Sequence, residues 1–387
     1  MSRIKASVIG LGIMGQQHAE ALSLNSEVEV VAVADIRAQI AEDLGARVGA
    51  KPYADYGDML RAHSPDLVVV TTPDPIHMEP VLAAVESGAT TILQEKPFAT
   101  TVADATKMYE AVERKGVDLY INFANRAGEL DMATNYVLRE GLIGDVVYGE
   151  MRLDDNISVP TEMWGERTRE WAGSSSVAHF LLSHVVDLLR WHLRPAEVTE
   201  VYAVSQRKVL GYTPDVYDAF LTFDSGTKIR VKSEWIKHID SLVESYQEFS
   251  GSEGTVIYNR RPGFGAQPGW RANLSTAVDL GSADAYREIL AQRGISVAVR
   301  AHRPELSSGR LTAGGGETRV ALEQEGTLSP TGMPLVDHII KAIREGTPEP
   351  SSWKGNGPLP GHIDGLRQTQ VVAAIIESAE KGEPVSI

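Results

Sequence analysis

Lys96, set between Glu95 and Pro97, and the later trio His179, His184 and Asp187 are of types that can do acid–base chemistry. An imidazole titrates near neutrality and can take a proton from a hydroxyl, while an ammonium stabilises an oxygen on which negative charge develops. His184 and Asp187 stand three apart, so a helix places them on one face, where Asp187 can orient the ring or bind substrate itself. His179 lies five residues before His184 and leaves that face on a continuous α-helix; it reaches the same cleft only if it precedes the first turn. Upstream, Trp164, Arg167, Arg169 and Trp171 form an aromatic and cationic cluster. Aromatic faces pack on sugar rings and guanidinium pairs suit carboxylate, sulfonate or phosphate oxygens, so the cluster is a candidate substrate contact that allows an anionic substrate, although solvated loop arginines are the more frequent case.

These groups need a scaffold, and the N-terminus supplies its first element. The apolar run Ile4 to Ile9 opens into Gly10-Leu11-Gly12-Ile13-Met14-Gly15, and a second run, Val28 to Ala34, ends at Asp35. This is the layout of a dinucleotide-binding strand, turn and helix. Gly10 permits the tight turn, Gly12 lets the backbone approach a pyrophosphate, and Gly15 lets helix pack on strand. Ile13 and Met14 complete a helix N-terminus whose amides face phosphate charge. Asp35 falls where a carboxylate takes ribose hydroxyls and repels a 2′-phosphate, although Arg37 can receive one, so NAD is expected before NADP.

Strand-like runs alternate with helical stretches to about residue 125: Leu67 to Thr71, Pro80 to Ser87 closed by Gly88, Thr90 to Leu93, and Val102 to Lys115 closed by Gly116. Such alternation predicts an α/β Rossmann domain over 1–125, a parallel sheet with helices on both faces. Beyond it, Val146 to Leu153, Val198 to Val204, Tyr217 to Phe223 and Lys228 to Trp235 alternate as half-buried strands, with Asp224-Ser225-Gly226 as a hairpin turn. Residues 126–387 therefore read as an α+β domain with a mainly antiparallel open sheet, for substrate binding and oligomerisation. Its C-terminal helix, Ile363 to Lys381, is free to pack back on the first domain. Residues 262–331, rich in Gly, Pro and Arg, with Gly263-Phe264-Gly265 and Gly314-Gly315-Gly316, lack a sustained period and read as a long excursion from the sheet domain.

The chain has 387 residues, 43% hydrophobic and 23% charged, the composition of an ordinary globular protein with substantial cores. A net charge of −15 argues against a nucleic-acid surface, and the absence of cysteine excludes disulfides, thiolate catalysis and cysteine-bound zinc. No metal site is expected. The first residues run straight into a strand, without a secretory pattern, and no apolar run is long enough for a membrane span, so a cytoplasmic enzyme is expected.

Thr72-Pro73, His77, Gly88 and Glu95-Lys96-Pro97, set at these distances from the glycine turn, make the chain resemble the Gfo/Idh/MocA family, named for glucose-fructose oxidoreductase and inositol dehydrogenase. The resemblance implies that Lys96 contacts substrate hydroxyl and nicotinamide ribose, and that Thr72, Pro73, His77 and Glu95 line the cofactor cleft. It also puts Asn125 and Arg126 on the substrate side. Family members carry a glycine-rich turn, an Asp, a His four residues later and another Asp after three more. Here Ser174-Ser175-Ser176 replaces the glycines, Phe180 stands at the first Asp, and His184 and Asp187 match the rest.

The resulting expectation is hydride transfer between nicotinamide and a secondary alcohol of a sugar, cyclitol or sugar derivative, with His184 as base and Lys96 on the oxygen. The altered histidine segment leaves two alternatives. One is an NAD-dependent glycosidase working by transient ring oxidation and elimination; the other is a non-catalytic dinucleotide-binding regulator. An open sheet face leads us to expect a homodimer or homotetramer.

Overall fold

A strand buried on both faces needs cover on both sides, and Leu67–Val70 and Thr91–Gln94 are buried at every position. The computed structural model describes residues 2–261, 268–302, 318–325 and 333–387. Strands β1 (Ile4–Ile9), β2 (Val28–Ala34), β3 (Lys51–Tyr53), β4 (Leu67–Val70), β5 (Thr91–Gln94) and β6 (Asp118–Ile121) form a six-stranded sheet in the order β3-β2-β1-β4-β5-β6. All its pairings are parallel. The strand order reverses between β1 and β4, and open sheets of this kind bind ligands beyond the carboxyl ends of the strands at that point.

Local signals fix the elements around this sheet. The helix Val102–Lys115 starts where the Thr101 side chain accepts from the Asp104 amide, and it stops at Gly116 in the left-handed region. Ile9, Val68, Val70, Ile92, Phe98, Met108 and Val112 belong to one buried core. The edge strand β6 is covered by the C-terminal part of the chain, with the Ile121 amide donating to the Pro360 carbonyl at 2.9 Å and Tyr120 bridging Gly361. Just beyond, Gly365 lets the helix His362–Lys381 approach so closely that a Cβ there would strike Phe98 and Ile121.

The chain divides into two compact units. The first holds Met1–Phe123, Gly173–Asp187 and Pro334–Ala373; the second holds Ala124–Ala172, Leu188–Met333 and Ala374–Ile387.

The second unit carries a ten-stranded sheet of β7 (Val146–Asp155), β8 (Val198–Gln206), β9 (Val216–Phe223), β10 (Lys228–Glu234), β11 (Val243–Gly251), β12 (Thr255–Arg261), β13 (Gly269–Asn273), β14 (Val297–His302), β15 (Arg319–Gln324) and β16 (Val385–Ser386). Its order is β14-β15-β13-β12-β11-β7-β10-β9-β8-β16, antiparallel except for the β7–β10 pair. Burial alternates along β10, with Ile229, Val231 and Ser233 inward and Arg230, Lys232 and Glu234 outward.

One expectation is corrected here. Within residues 262–331, the described stretches 268–302 and 318–325 are not an excursion from the sheet domain, because β13, β14 and β15 extend its sheet and the helix Leu280–Gln292 lies between β13 and β14 in the chain. Gly263-Phe264-Gly265 and Gly314-Gly315-Gly316 fall outside the described residues. Among the described residues, no helix is long and apolar enough to cross a membrane.

Candidate active site

The turn after β1 is shaped by its glycines. Gly10 has φ +85, and a Cβ on it would meet the Thr71 carbonyl carbon and oxygen and the Thr72 amide nitrogen at 2.9 Å. A Cβ on Gly15 would fall onto the Gly10 carbonyl oxygen and the Thr71 hydroxyl, so the helix Ile13–Leu24 meets the strand ends only without a side chain there. Gly12 differs, since a Cβ on it would meet nothing within 4 Å. No side chain caps the helix at Gly12, and Ile13 and Met14 flank the turn with exposed apolar surface. An open space against uncapped helix amides fits a pyrophosphate.

At the end of β2, Asp35 is 8% exposed and accepts four hydrogen bonds: from the Leu11 amide at 2.8 Å, the Arg37 amide at 2.9 Å, Arg37 Nε at 2.8 Å and Arg37 Nη2 at 2.9 Å. Burial works to raise its carboxyl, and the Arg37 and Leu11 donors outweigh that and hold it below its ordinary value.

The ends of β4 and β5 lie beside this turn in the sheet order. His77, 1% exposed, braces them: its Nε2 is 2.8 Å from the Thr72 carbonyl and its Nδ1 2.7 Å from the Pro97 carbonyl. Pro73 is exposed beside half-buried Thr72. Glu95 turns inward, its Oε1 2.8 Å from His18 Nε2 and accepting from Asn122 Nδ2 at 2.7 Å. Burial pushes this carboxyl up, but His18, Asn122 and the charge of Lys96 together bring it below its usual value. Lys96 is only partly buried. Its Nζ donates to the Phe180 carbonyl at 3.2 Å and lies 3.5 Å from the centroid of the Phe180 ring.

The serine turn reaches the same unit through long-range contacts. Ser175 Oγ donates to Asp74 Oδ2 at 2.5 Å, and Ser176, at φ +113, occupies a strained conformation that glycine would adopt freely. Ala178–Leu182 then forms a π-turn leading into the helix Ser183–Leu193, so the segment is not a uniform α-helix. Within that turn His179 Nδ1 is 2.6 Å from the Ser175 carbonyl and 3.0 Å from Ser176 Oγ. Burial lowers the His179 ring below its usual value despite hydrogen bonds to Ser175 and Thr100 and the nearby charge of Asp74. His184 is half-buried, and Asp187 is 1% exposed one turn further along.

The remaining candidates belong to the second unit. Arg126 is fully buried, its guanidinium carbon 5.8 Å from the centre of the Trp191 ring. Asn125 Oδ1 accepts from Arg260 Nη1 at 3.0 Å, and that nitrogen also lies 3.3 Å from buried Asp131, which accepts from Gln247 Nε2 at 2.6 Å. Trp164 stacks edge-on against Trp171 at 5.5 Å, and Trp171 is 5.6 Å from Trp235. Arg169 lies over the Tyr212 ring at 4.6 Å, and Arg167 is exposed. The sequence reading missed Asp74, His18 and the Asp131–Arg260 pair. Their partners lie far away in the chain, 101 residues for Asp74 and Ser175, and no local pattern marks them.

Comparison with known proteins decides the family. Residues 4–123 match a model described as an oxidoreductase family with an NAD-binding Rossmann fold, and residues 133–257 match the Gfo/Idh/MocA C-terminal domain. The chain belongs to the Gfo/Idh/MocA family. It is 29% identical over 258 residues to inositol 2-dehydrogenase 3 of Saccharopolyspora erythraea, covering 65% of this chain and 72% of that protein. It is 28% identical over 263 residues to D-apiose dehydrogenase of Paraburkholderia graminis, covering 66% and 68%. Among solved structures, levoglucosan dehydrogenase in complex with NADH shares the fold with TM-score 0.73 at 19% identity, over 100% of this chain and 99% of that one. This member of the Gfo/Idh/MocA family is an NAD-binding oxidoreductase, and the open space at Gly12 with Asp35 at the end of β2 agrees with that cofactor. Its departure from the family pattern at Phe180 has a structural consequence, because the ammonium of Lys96 rests against an aromatic face and a main-chain carbonyl there.

Proposed function

We propose that this chain is an NAD-dependent dehydrogenase acting on a secondary alcohol of a sugar, cyclitol or related polyol. The observation that carries this reading is Lys96 at the carboxyl end of β5, beside the Thr72 end of β4, with its ammonium aligned by Phe180 and its backbone braced through Pro97 by His77. The relatives named inositol 2-dehydrogenase and D-apiose dehydrogenase support the substrate class. When bound, the nicotinamide supplies the hydride acceptor.

The protein's part is to manage a proton and a developing charge. His184, as neutral imidazole, takes the hydroxyl proton, and Asp187 orients that ring. Lys96 donates to the oxygen as the hydrogen on carbon leaves with its bonding electron pair, and the substrate ends as a ketone. Reduction runs the same path backward. His179, held by the serine turn, and Arg126, buried over Trp191, act as braces in this reading, while Asn125, Trp164, Arg167, Arg169 and Trp171 select the substrate. Exposed Tyr202, Val204 and Phe220 on neighbouring β8 and β9 support assembly into a homo-oligomer.

The test is a polyol and aldose panel followed by NADH absorbance, with Lys96→Met and His184→Ala. Lys96→Met is expected to lower kcat about a thousandfold and His184→Ala about a hundredfold with an altered pH profile, each leaving NADH affinity within about threefold. Near wild-type turnover in either variant overturns the assigned role, and sugar release without net NADH overturns the dehydrogenase reading.

A further inference from the structure

A carboxylate set directly before a lysine competes for its ammonium, and Glu95 stands directly before Lys96. The two side chains nevertheless part. Lys96 Nζ donates to the Phe180 carbonyl at 3.2 Å and lies 3.5 Å from the centre of the Phe180 ring, while Glu95 is buried and draws its donors from elsewhere. Its Oε1 lies 2.8 Å from His18 Nε2 and accepts from Asn122 Nδ2 at 2.7 Å, and its Oε2 accepts from the Lys96 amide at 3.3 Å. His18 and Asn122 are themselves buried. His18 belongs to the helix Ile13–Leu24 and Asn122 directly follows β6, so the carboxylate is gripped by a helix and by a neighbouring strand end. Burial pushes the Glu95 carboxyl up, and His18, Asn122 and the charge of Lys96 outweigh it. The ammonium is thus close enough to feel the carboxylate it does not bind.

We propose that His18 is a positioning residue for Lys96: by occupying Glu95, it keeps the ammonium turned toward Phe180 and available to the substrate oxygen. The importance of His18 in the reaction rests on the role given above to Lys96, but the placement of the ammonium does not. Taking one partner from a buried ionised group strands its charge, and the structure around it must supply another. Lys96 is the nearest source. Its flexible four-carbon stem and partial exposure let it swing toward Glu95, which would take the ammonium away from Phe180. His18 follows Gly12 on the same helix. One element therefore shapes the turn that fits a pyrophosphate and holds off the acid that would capture the lysine.

The experiment is proton–carbon NMR of the full chain after its lysine amines have been methylated with isotope-labelled formaldehyde, the Lys96 signal being assigned by its loss in Lys96→Met. Methyl protons held over an aromatic face are shielded, so the signal reports where the amine points without substrate or turnover. Wild type and His18→Gln, whose amide reaches the place of Nε2, are expected to show the shielded signal. His18→Leu is expected to lose it, and adding Glu95→Gln to that variant is expected to restore it, because no carboxylate remains to compete. His18→Asn, polar but too short to reach Glu95, carries the same expectations alone and with Glu95→Gln should the leucine variant not fold. In the polyol and aldose panel, His18→Leu is expected to lower kcat about tenfold with KM and NADH affinity within about threefold, and His18→Gln to recover most of that loss. A signal that stays shielded in His18→Leu overturns the proposal. So does a lost signal that Glu95→Gln fails to restore, which would make His18 a packing residue. A signal that moves as expected while turnover stays at the wild-type rate upholds the placement and counts against the reaction role of Lys96.

Discussion

The carboxyl edge of the six-stranded sheet and the face of the ten-stranded sheet manage buried charge in opposite ways. At the edge, Asp35 and Glu95 are both buried, yet both are held below their usual values by donors aimed at them from short loops, a neighbouring strand end and, for Glu95, His18 of the helix Ile13–Leu24. On the larger sheet, Asp154 is fully buried at the end of β7, with Lys232 Nζ at 3.1 Å, Lys237 Nζ at 3.9 Å and Glu234 close to the same lysines. Burial dominates there and pushes its carboxyl up to about 6. Asp154 also accepts from the Glu234 amide at 3.2 Å, so the two regions differ in the balance struck: the donors outweigh burial at the sheet edge, and burial outweighs the donors on the larger sheet.

The glycine turn offers the strongest way to break this comparison. Gly15→Ala is expected to cost about 3 kcal/mol of stability, because the added methyl meets the Gly10 carbonyl and the backbone has no rotamer to relieve it. Gly12→Ala is expected to leave stability unchanged within about 0.5 kcal/mol, yet weaken NADH binding roughly tenfold by filling the open space against the helix N-terminus. Urea unfolding and NADH fluorescence titration of the two variants check this. Equal stability of both would show that the turn is not the rigid element described here.

Asp154→Asn probes the other side. A carboxyl whose folded pKa is raised from 3.8 to about 6 contributes stability below the unfolded value and loses it as pH rises through the folded value. The charged form therefore weakens the fold above about pH 6, and the amide, which imitates the neutral acid, escapes that loss. The variant is expected to match wild type near about pH 4 and to exceed it by about 2 kcal/mol near about pH 8, read from urea midpoints across that range. Lower stability than wild type at the upper end would mean that Lys232 and Lys237 outweigh burial, and the contrast between edge and face would disappear.

The same contrast explains what the sequence revealed. Val28–Ala34 and Val102–Lys115 could be read with their observed ends, because an unbroken apolar run and a Thr–Gly pair of caps are local signals. Asp35, Thr72 and Lys96 could be placed because each follows such a run at a strand end. Asp74 clasping Ser175 could not, since the contact depends on how distant loops return to one unit. Nor could the π-turn at Ala178–Leu182, which has no distinct sequence period. Strands β13 to β15 were hidden for another reason. They are short and surrounded by Gly, Pro and Arg, and β13 hides Trp270 and Ala272 between polar Arg271 and Asn273.

That last group supplies the smallest effect. Arg271 pairs with Glu323 across β13 and β15 at 2.5 Å and donates through Nε to Asn273 at 2.8 Å, but its side chain is 39% exposed and that of Glu323 is 30% exposed. An ion pair open to water gains little over its hydrated partners and is screened by salt, so Arg271→Met is expected to cost less than about 1 kcal/mol, falling toward zero in about 0.5 M salt. The strand is held instead by its ladder with β12 and β15 and by inward Trp270, whose indole donates to the Thr134 hydroxyl at 2.9 Å. Urea unfolding of Arg271→Met at two salt concentrations measures the difference. A loss of several kcal/mol that ignores salt would make this pair a structural anchor, and surface charge on the larger sheet would then be doing the work assigned here to backbone register and burial.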